Sequence, residues 1–302
     1  MKYRRLGSTG ASVSVVGMGT WQFGGEWGKD FTQDEVNKMF AAARDVGINL
    51  IDTAECYGDH LSEAFIGTAL AEVFPGEHDS WFIATKFGHK FNAPFTRDTI
   101  YDPPGVRGQL EDSLRALKTD YVDLLQFHSG DDAAFGTSGL WEELRRLKDE
   151  GKVRHLGISI GSNTNAHQTS QASAAGAQTI QVIYNRLDKA PEAGVFDLCV
   201  AQNLGVLARV PLASGFLSGK YKPGATFAAG DVRSRRDRDE VEARLKEVQQ
   251  IQKDELPDGV PMAEWALAWC LQHPAVTTVI PGCKNVEQVR SNARAADLGD
   301  LV

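Results

Sequence analysis

Eight short runs of apolar, largely β-branched residues recur along the chain, each followed by a segment of helical periodicity. They cover residues 13–17, 48–51, 81–84, 121–127, 153–158, 180–183, 206–210 and 276–280. Strands this uniformly apolar have both faces covered, which is the habit of parallel sheets. Eight strand–helix units in 302 residues predict a closed (β/α)8 barrel. An open doubly wound sheet is the alternative arrangement of the same elements. The first helix is expected to start after Thr32, with Glu35 completing a capping box, and to stop at Gly47. Further helices are expected at 61–73, 106–117, 140–150, 165–175, 191–202, 262–272 and 286–295. An additional charged helix at 239–254 lies in the connection after the seventh strand, and "YRRLGSTGASVS" reads as a β-hairpin ahead of the first. No repeat, low-complexity tract or Pro-rich linker divides the chain, so one domain over residues 1–302 is expected.

Composition narrows the function classes. A net charge of −8 repels phosphate backbones and anionic lipid surfaces, which argues against nucleic-acid and membrane partners. The densest basic stretch, "RSRRDR" from Arg233, carries an interleaved Asp237 and reads as a solvated loop leading into a helix. The four cysteines are scattered with no CxxC pair, as in a reduced protein lacking disulfides and zinc. No apolar run approaches the ~20 residues of a membrane span, and no signal peptide is apparent. A cytoplasmic location is the expectation, and nothing in the sequence specifies an oligomeric state.

In barrels of this kind, chemistry gathers where strands end and βα loops begin. "INLIDTAECYG" ends the second strand on Asp52 and carries Tyr57 just beyond it; "WFIATKFGHK" ends the third near Lys86; "YVDLLQFHSGD" ends the fourth on His128. A carboxylate, an ammonium, an imidazole and a phenol therefore share one rim. An ammonium lowers the pKa of a neighbouring phenol, Asp52 can hold Lys86 charged, and His128 can orient a substrate oxygen. This set can protonate an alkoxide forming from a carbonyl, or work in reverse on an alcohol. It contains no metal cage, and it needs an external hydride, hence a cofactor. A Schiff-base aldolase would need Lys86 uncharged, and a metallohydrolase would need paired histidines that the chain lacks.

The glycines of "GMGTWQFGG" do not form a dinucleotide fingerprint, because Gln22 stands where the third glycine belongs. The anion site is expected instead in "VIPGCKNVEQVRSN", where a strand turns through Pro281–Gly282 to Lys284 and a helix N-terminus.

Taken in order, "NLIDTAECYGDHLSE", "ATKFG", "SLRALKTDYVDLLQFH", "PLASGFLSGKY" and "VIPGCK" with Gln288 and Asn292 resemble the aldo-keto reductase superfamily, closest to bacterial members, over nearly the whole chain. The resemblance implies a TIM barrel and NADPH-dependent reduction of a small aldehyde or ketone. It implies Tyr57 as general acid, Lys86 and Asp52 tuning it, and His128 orienting the carbonyl. It places nicotinamide contacts at Ser159 and Gln181, with Gly19, Thr20 and Asp52 near the ribose. Leu212, Ser214, Gly215 and Leu217 then follow the pyrophosphate, while Pro281, Gly282, Cys283 and Lys284 take the 2′-phosphate, and Gln288 and Asn292 the adenine. Trp21 and Phe87 line the implied substrate mouth, which Trp27 also edges. Two positions depart from the family pattern: Ile160 follows Ser159 where many members have Asn, and Arg209 stands where many place a ring over the nicotinamide, so that the resemblance implies a cofactor contact through its guanidinium plane, which can stack on a ring but repels the oxidised one. The family also contains non-catalytic channel β-subunits, so a nucleotide-sensing binding subunit is the alternative function.

Overall fold

The computed structural model describes residues 1–299. Eight parallel strands run in sequence order around one sheet: Met18–Gly19, Leu50–Asp52, Phe82–Phe87, Val122–His128, Val153–Ser159, Thr179–Ile183, Gly205–Arg209 and Thr278–Val279. The last strand meets the first through parallel bridges Val16↔Val279 and Gly19↔Gly282, so the sheet closes into the expected (β/α)8 barrel. The first barrel strand is displaced from its expected place at 13–17. Ser12–Ser14 instead pairs antiparallel with Tyr3–Arg5 as the second arm of the N-terminal hairpin. The apolar run spans both roles because Val13 plugs the barrel floor while Val16 and Met18 belong to its wall.

The helices follow the expected pattern, with Gln33–Asp45 capped by Thr32 and Glu35 as a full capping box. The third begins earlier than expected, at Pro103, because Asp102 accepts from the Gly105 N–H and the prolines occupy the first turn. The expected 191–202 helix is split into a 3-10 turn Ala190–Ala193 and Val195–Ala201, with Gly194 between them. Arg238–Asp254 is the additional helix after strand seven. Among the described residues no helix is long and apolar enough to cross a membrane.

Alternation with period two sets what faces the lumen. Leu50, Phe82, Ala84, Leu124 and Leu207 point inward and form a floor with Leu6, Val13 and Ile280. Ile51, Ile83, Leu125, Ile180 and Val206 point outward, under the helices, in the main core. Two residues above the floor on the same faces stand Asp52, Lys86, Gln126 and Arg209, which is how apolar strands deliver polar groups to one rim. Leu6 is fully buried at the floor, so Leu6→Ala should destabilise the barrel by about 2–5 kcal/mol. Chemical denaturation would read this as a lower midpoint at unchanged slope, and an unshifted midpoint would show that the hairpin does not seal the barrel.

Candidate active site

Lys86 lies at the centre of the rim, 2% exposed. Its Nζ donates to Asp52 Oδ1 at 2.7 Å, to the Thr53 carbonyl at 2.7 Å and to the Tyr57 hydroxyl at 3.1 Å. The other carboxylate oxygen of Asp52 accepts from Gln181 Nε2 at 2.7 Å and Gln126 Nε2 at 3.1 Å. Every strong acceptor and donor of the pair is thus engaged by groups from several strands, as a buried ion pair requires. The loop carrying Tyr57 is pinned from below. Ser62 Oγ donates to Thr20 Oγ1 at 2.9 Å, and Glu63, fully buried, accepts from Thr85 Oγ1 and contacts His60 Nδ1.

Burial works against the charge on Lys86, yet Asp52 and Tyr57 outweigh it and hold its pKa above the ordinary value. Lys86 is therefore an ammonium, not the free amine that a Schiff-base enzyme needs. The expected lowering of the Tyr57 pKa is overturned: burial pushes the phenol up from its usual value, and the opposing pull of Lys86 does not cancel it. The ammonium limits the rise rather than producing a phenolate. His128 is driven well below the usual imidazole value by burial, with His89, Lys86, Arg209 and Arg97 adding to the effect. It is neutral at physiological pH and can offer one N–H to an oxygen. Its Nδ1 lies 3.8 Å from Cys56 Sγ, and its ring stacks on His89 with centroids 4.5 Å apart. Cys56, His89 and His128 also bring ligand atoms within 4.8 Å of one another. The positive field that depresses His128 opposes a cation there.

A cleft of about 420 Å³ runs from Tyr57, Asp52 and His128 to Lys284, Gln288 and Asn292. Gly19, Thr20, Trp21, Gln181, Arg209, Leu212, Ser214, Gly215, Pro281 and Gly282 line it as expected. The Gln22 amide packs directly on Gly282, where a Cβ would lie 1.9 Å from Nε2 and displace that side chain. At the far end, Lys284 Nζ donates to the Trp27 carbonyl at 2.6 Å. Burial lowers the Lys284 pKa, and Arg233, Lys220 and Lys29 lower it further against the pull of Asp231. This end of the cleft is electropositive and suited to phosphate.

Three expected positions are placed differently. Phe87 is 1% exposed and packs against Tyr101 and Phe127, because the residue after inward-facing Lys86 must face outward. Leu217 is fully buried in a separate cluster with Trp265 and Leu245. Cys283, expected to act through its backbone N–H, has a buried thiol whose Sγ accepts from Asn292 Nδ2 at 3.2 Å. Ser159, also fully buried, reaches the cleft only through Gln181 Oε1, at 3.5 Å. The solvated-loop reading of "RSRRDR" also fails for Arg233. That residue is 6% exposed, pairs with Asp231 through two nitrogens, and packs over the rings of Trp27, Tyr221 and Phe227.

Sequence reading also missed an antiparallel hairpin, His89–Ala93 with Thr96–Thr99, which arches over the site. Arg97 on it donates to Glu26 Oε2 at 2.6 Å and to the Cys56 carbonyl at 3.0 Å. Glu26 in turn accepts from Trp21 Nε1 at 2.8 Å. The turn residue Pro94 between alternating flanks was its available signal.

A curled eight-stranded barrel with an ion-paired lysine, a tyrosine and a neutral histidine at its C-terminal rim defines an oxidoreductase-like site. The Aldo/keto reductase family model matches residues 15–302, and the chain belongs to that family. It is 31% identical over 300 residues to the aldo-keto reductase YhdN of Bacillus subtilis (strain 168), covering 96% of this chain and 87% of that one. It is 29% identical to a probable voltage-gated potassium channel subunit beta of Arabidopsis thaliana, covering 100% of this chain and 93% of the relative. Among solved structures it resembles the holo form of aldo-keto reductase AKR11C1 from Bacillus halodurans. That match has a TM-score of 0.81 and 29% identity, covering 98% of this chain and 91% of the other.

A neutral His128 has a measurable consequence. Its ring nitrogens should titrate well below the ~6.5 of a free imidazole when followed by NMR. A midpoint near that free value would contradict the enclosed geometry. In linkage terms, a depressed histidine adds stability that is present above its unfolded pKa and lost as pH falls toward its folded pKa.

Proposed function

We propose that the protein is an NADP(H)-dependent reductase that converts a small aldehyde or ketone to an alcohol in the cytoplasm. The observation that carries this reading is the contact of the Tyr57 hydroxyl with Lys86, itself locked to Asp52, at the mouth of one cleft. The donor set fits a dinucleotide phosphate. Lys284 and Lys220 line the far end, and Trp27 Nε1 is buried without a partner beside Lys284. Thr20, Asp52 and Gln181 would hold the nicotinamide riboside, Leu212, Ser214 and Gly215 the pyrophosphate, and Lys284, Gln288 and Asn292 the adenosine 2′-phosphate end. When bound, the reduced nicotinamide supplies a hydride to the carbonyl carbon. The chain supplies the rest. His128 donates a hydrogen bond that fixes the carbonyl oxygen, and Tyr57 passes its proton to that oxygen as negative charge develops on it. Lys86 steadies the resulting phenolate, and Asp52 keeps Lys86 charged. Trp21, stacked near Tyr57 with ring centroids 6.0 Å apart, would pack against the substrate.

The resemblance to a named channel β-subunit supports a second reading, a nucleotide-sensing subunit. The complete set of Asp52, Tyr57, Lys86 and His128 favours catalysis, because a sensor has no need of a proton donor held over an ammonium. Tyr57→Phe should bind NADPH normally and lose ~10²–10⁴-fold in kcat; near-normal turnover would remove Tyr57 from the chemistry. Because burial holds the Tyr57 pKa above the ordinary phenol value, kcat/KM for reduction should show no decline through neutral pH. A decline near neutrality would restore the lowered-pKa reading. Lys284→Ala should cut the preference for NADPH over NADH by roughly tenfold to a hundredfold, as one charge-assisted bond to phosphate implies. An unchanged ratio of the two Kd values would relocate the 2′-phosphate.

A further inference from the structure

The turn that carries Tyr57 contributes to two groups of potential metal ligands, and they differ in charge. Cys56, His89 and His128 lie in the positive field already described. In the other group, a carboxylate oxygen of Glu55, one of Asp59 and a ring nitrogen of His60 lie within 4.8 Å of one another. Glu55 is only 3% exposed. Its Oε1 accepts from the Phe91 N–H at 3.1 Å, but Oε2 is sealed from water and accepts from nothing among the described residues. Burial pushes the Glu55 carboxyl up to about 7, and the charges of Glu63 and Asp59 add to it against the Phe91 amide and His60. His60 Nδ1 is held by Glu63 Oε2 at 2.5 Å, and the other oxygen of Glu63 takes the Thr85 hydroxyl. That contact leaves Nε2 for a further partner.

A buried acceptor with no donor calls for a proton, a water or an ion. A proton on Oε2 answers Glu55 alone, whereas a cation answers all three converging residues. The contact from His60 Nδ1 to the fully buried Glu63 is the outer-shell arrangement that fixes the ring and raises the basicity of a metal-binding histidine. Two carboxylates and one imidazole exclude the thiolate preference of copper(I) and the all-oxygen preference of calcium and magnesium. We propose that Glu55, Asp59 and His60 form a binding site for a divalent transition-metal ion, with zinc the ion that fits best. Three protein ligands leave a fourth position for water, and exposed Asp59 gives the ion its approach from solvent. The ligands bracket Tyr57 in the chain, and Glu55 also holds the overarching hairpin through Phe91. The ion therefore clamps the Tyr57 turn and ties it to that hairpin. It takes no part in proton transfer, which the catalytic set performs without it.

The test titrates chelator-treated protein with zinc chloride by calorimetry. Wild type should bind one ion. Asp59→Asn, His60→Gln and Glu55→Gln should each weaken binding by more than the roughly tenfold to hundredfold that loss of an outer partner costs. Asp59 is exposed, so its variant keeps the fold, and Gln at 55 still accepts from Phe91. His89→Gln should bind as wild type does. Zinc should raise the Tm of wild type and leave that of Asp59→Asn unmoved. It should also slow backbone hydrogen exchange over residues 55–62 in wild type only. Cobalt(II) in place of zinc should show d–d absorption with no thiolate charge-transfer band. No binding by wild type, or equal binding by Asp59→Asn and His60→Gln, overturns the site. A thiolate band, or loss of binding in His89→Gln alone, overturns it too by moving the ion to Cys56. Unchanged exchange in zinc-saturated wild type overturns the clamp. None of these measurements needs turnover, so their outcome is independent of the reductase reading.

Discussion

The buried pair of Lys86 and Asp52 constrains everything else at this rim. Two charges withdrawn from water are tolerated only with near-complete hydrogen bonding, and breaking such a pair typically costs about 3–5 kcal/mol. The requirement reaches across the barrel. Gln126 from the fourth strand and Gln181 from the sixth both donate to Asp52, and the Thr53 carbonyl accepts from Lys86. These strands must sit in one register for the contacts to form together. The ion pair is thus a check on barrel closure as well as a chemical device, and it presents the ammonium at the one point where the Tyr57 hydroxyl can meet it.

Around that pair the cleft is divided by how its charges are compensated. Arg97 and Arg233 look like ligand-binding cations, but Glu26 and Asp231 hold them, and their task is to shape the walls. Arg233 also packs over three aromatic rings, fixing the loop after the seventh strand against Trp27. Lys284 at one end and Arg209 at the other lack a carboxylate partner among the described residues.

Several expectations failed for reasons of direction rather than identity. Phe87 follows Lys86, and period-two alternation turns it outward into the core with Tyr101 and Phe127. Leu217 sits in the expected loop but points away from the cleft, because a loop crossing a cleft has one face for the ligand and one for the protein beneath. Tyr57 has the predicted neighbour, yet its enclosure outweighs the ammonium. Enclosure depends on Trp21, on the hairpin from His89 to Thr99 and on the loop held by Ser62 and Glu63, none of which was read from a local pattern.

The sequence by itself determined the barrel, the hairpin before it and the rim positions of Asp52, Lys86 and His128. These follow from strand periodicity, and periodicity is a local property. It also marked the loops on which Tyr57 and Lys284 would lie. The tertiary structure decided which charges are matched. Asp231 stands two residues before Arg233 in the chain, but only the fold turns the two side chains to hydrogen-bonding distance and leaves Arg209 without a carboxylate among the described residues. Charge compensation depends on three-dimensional distance and on exclusion of water, and neither is written in the order of residues along the chain.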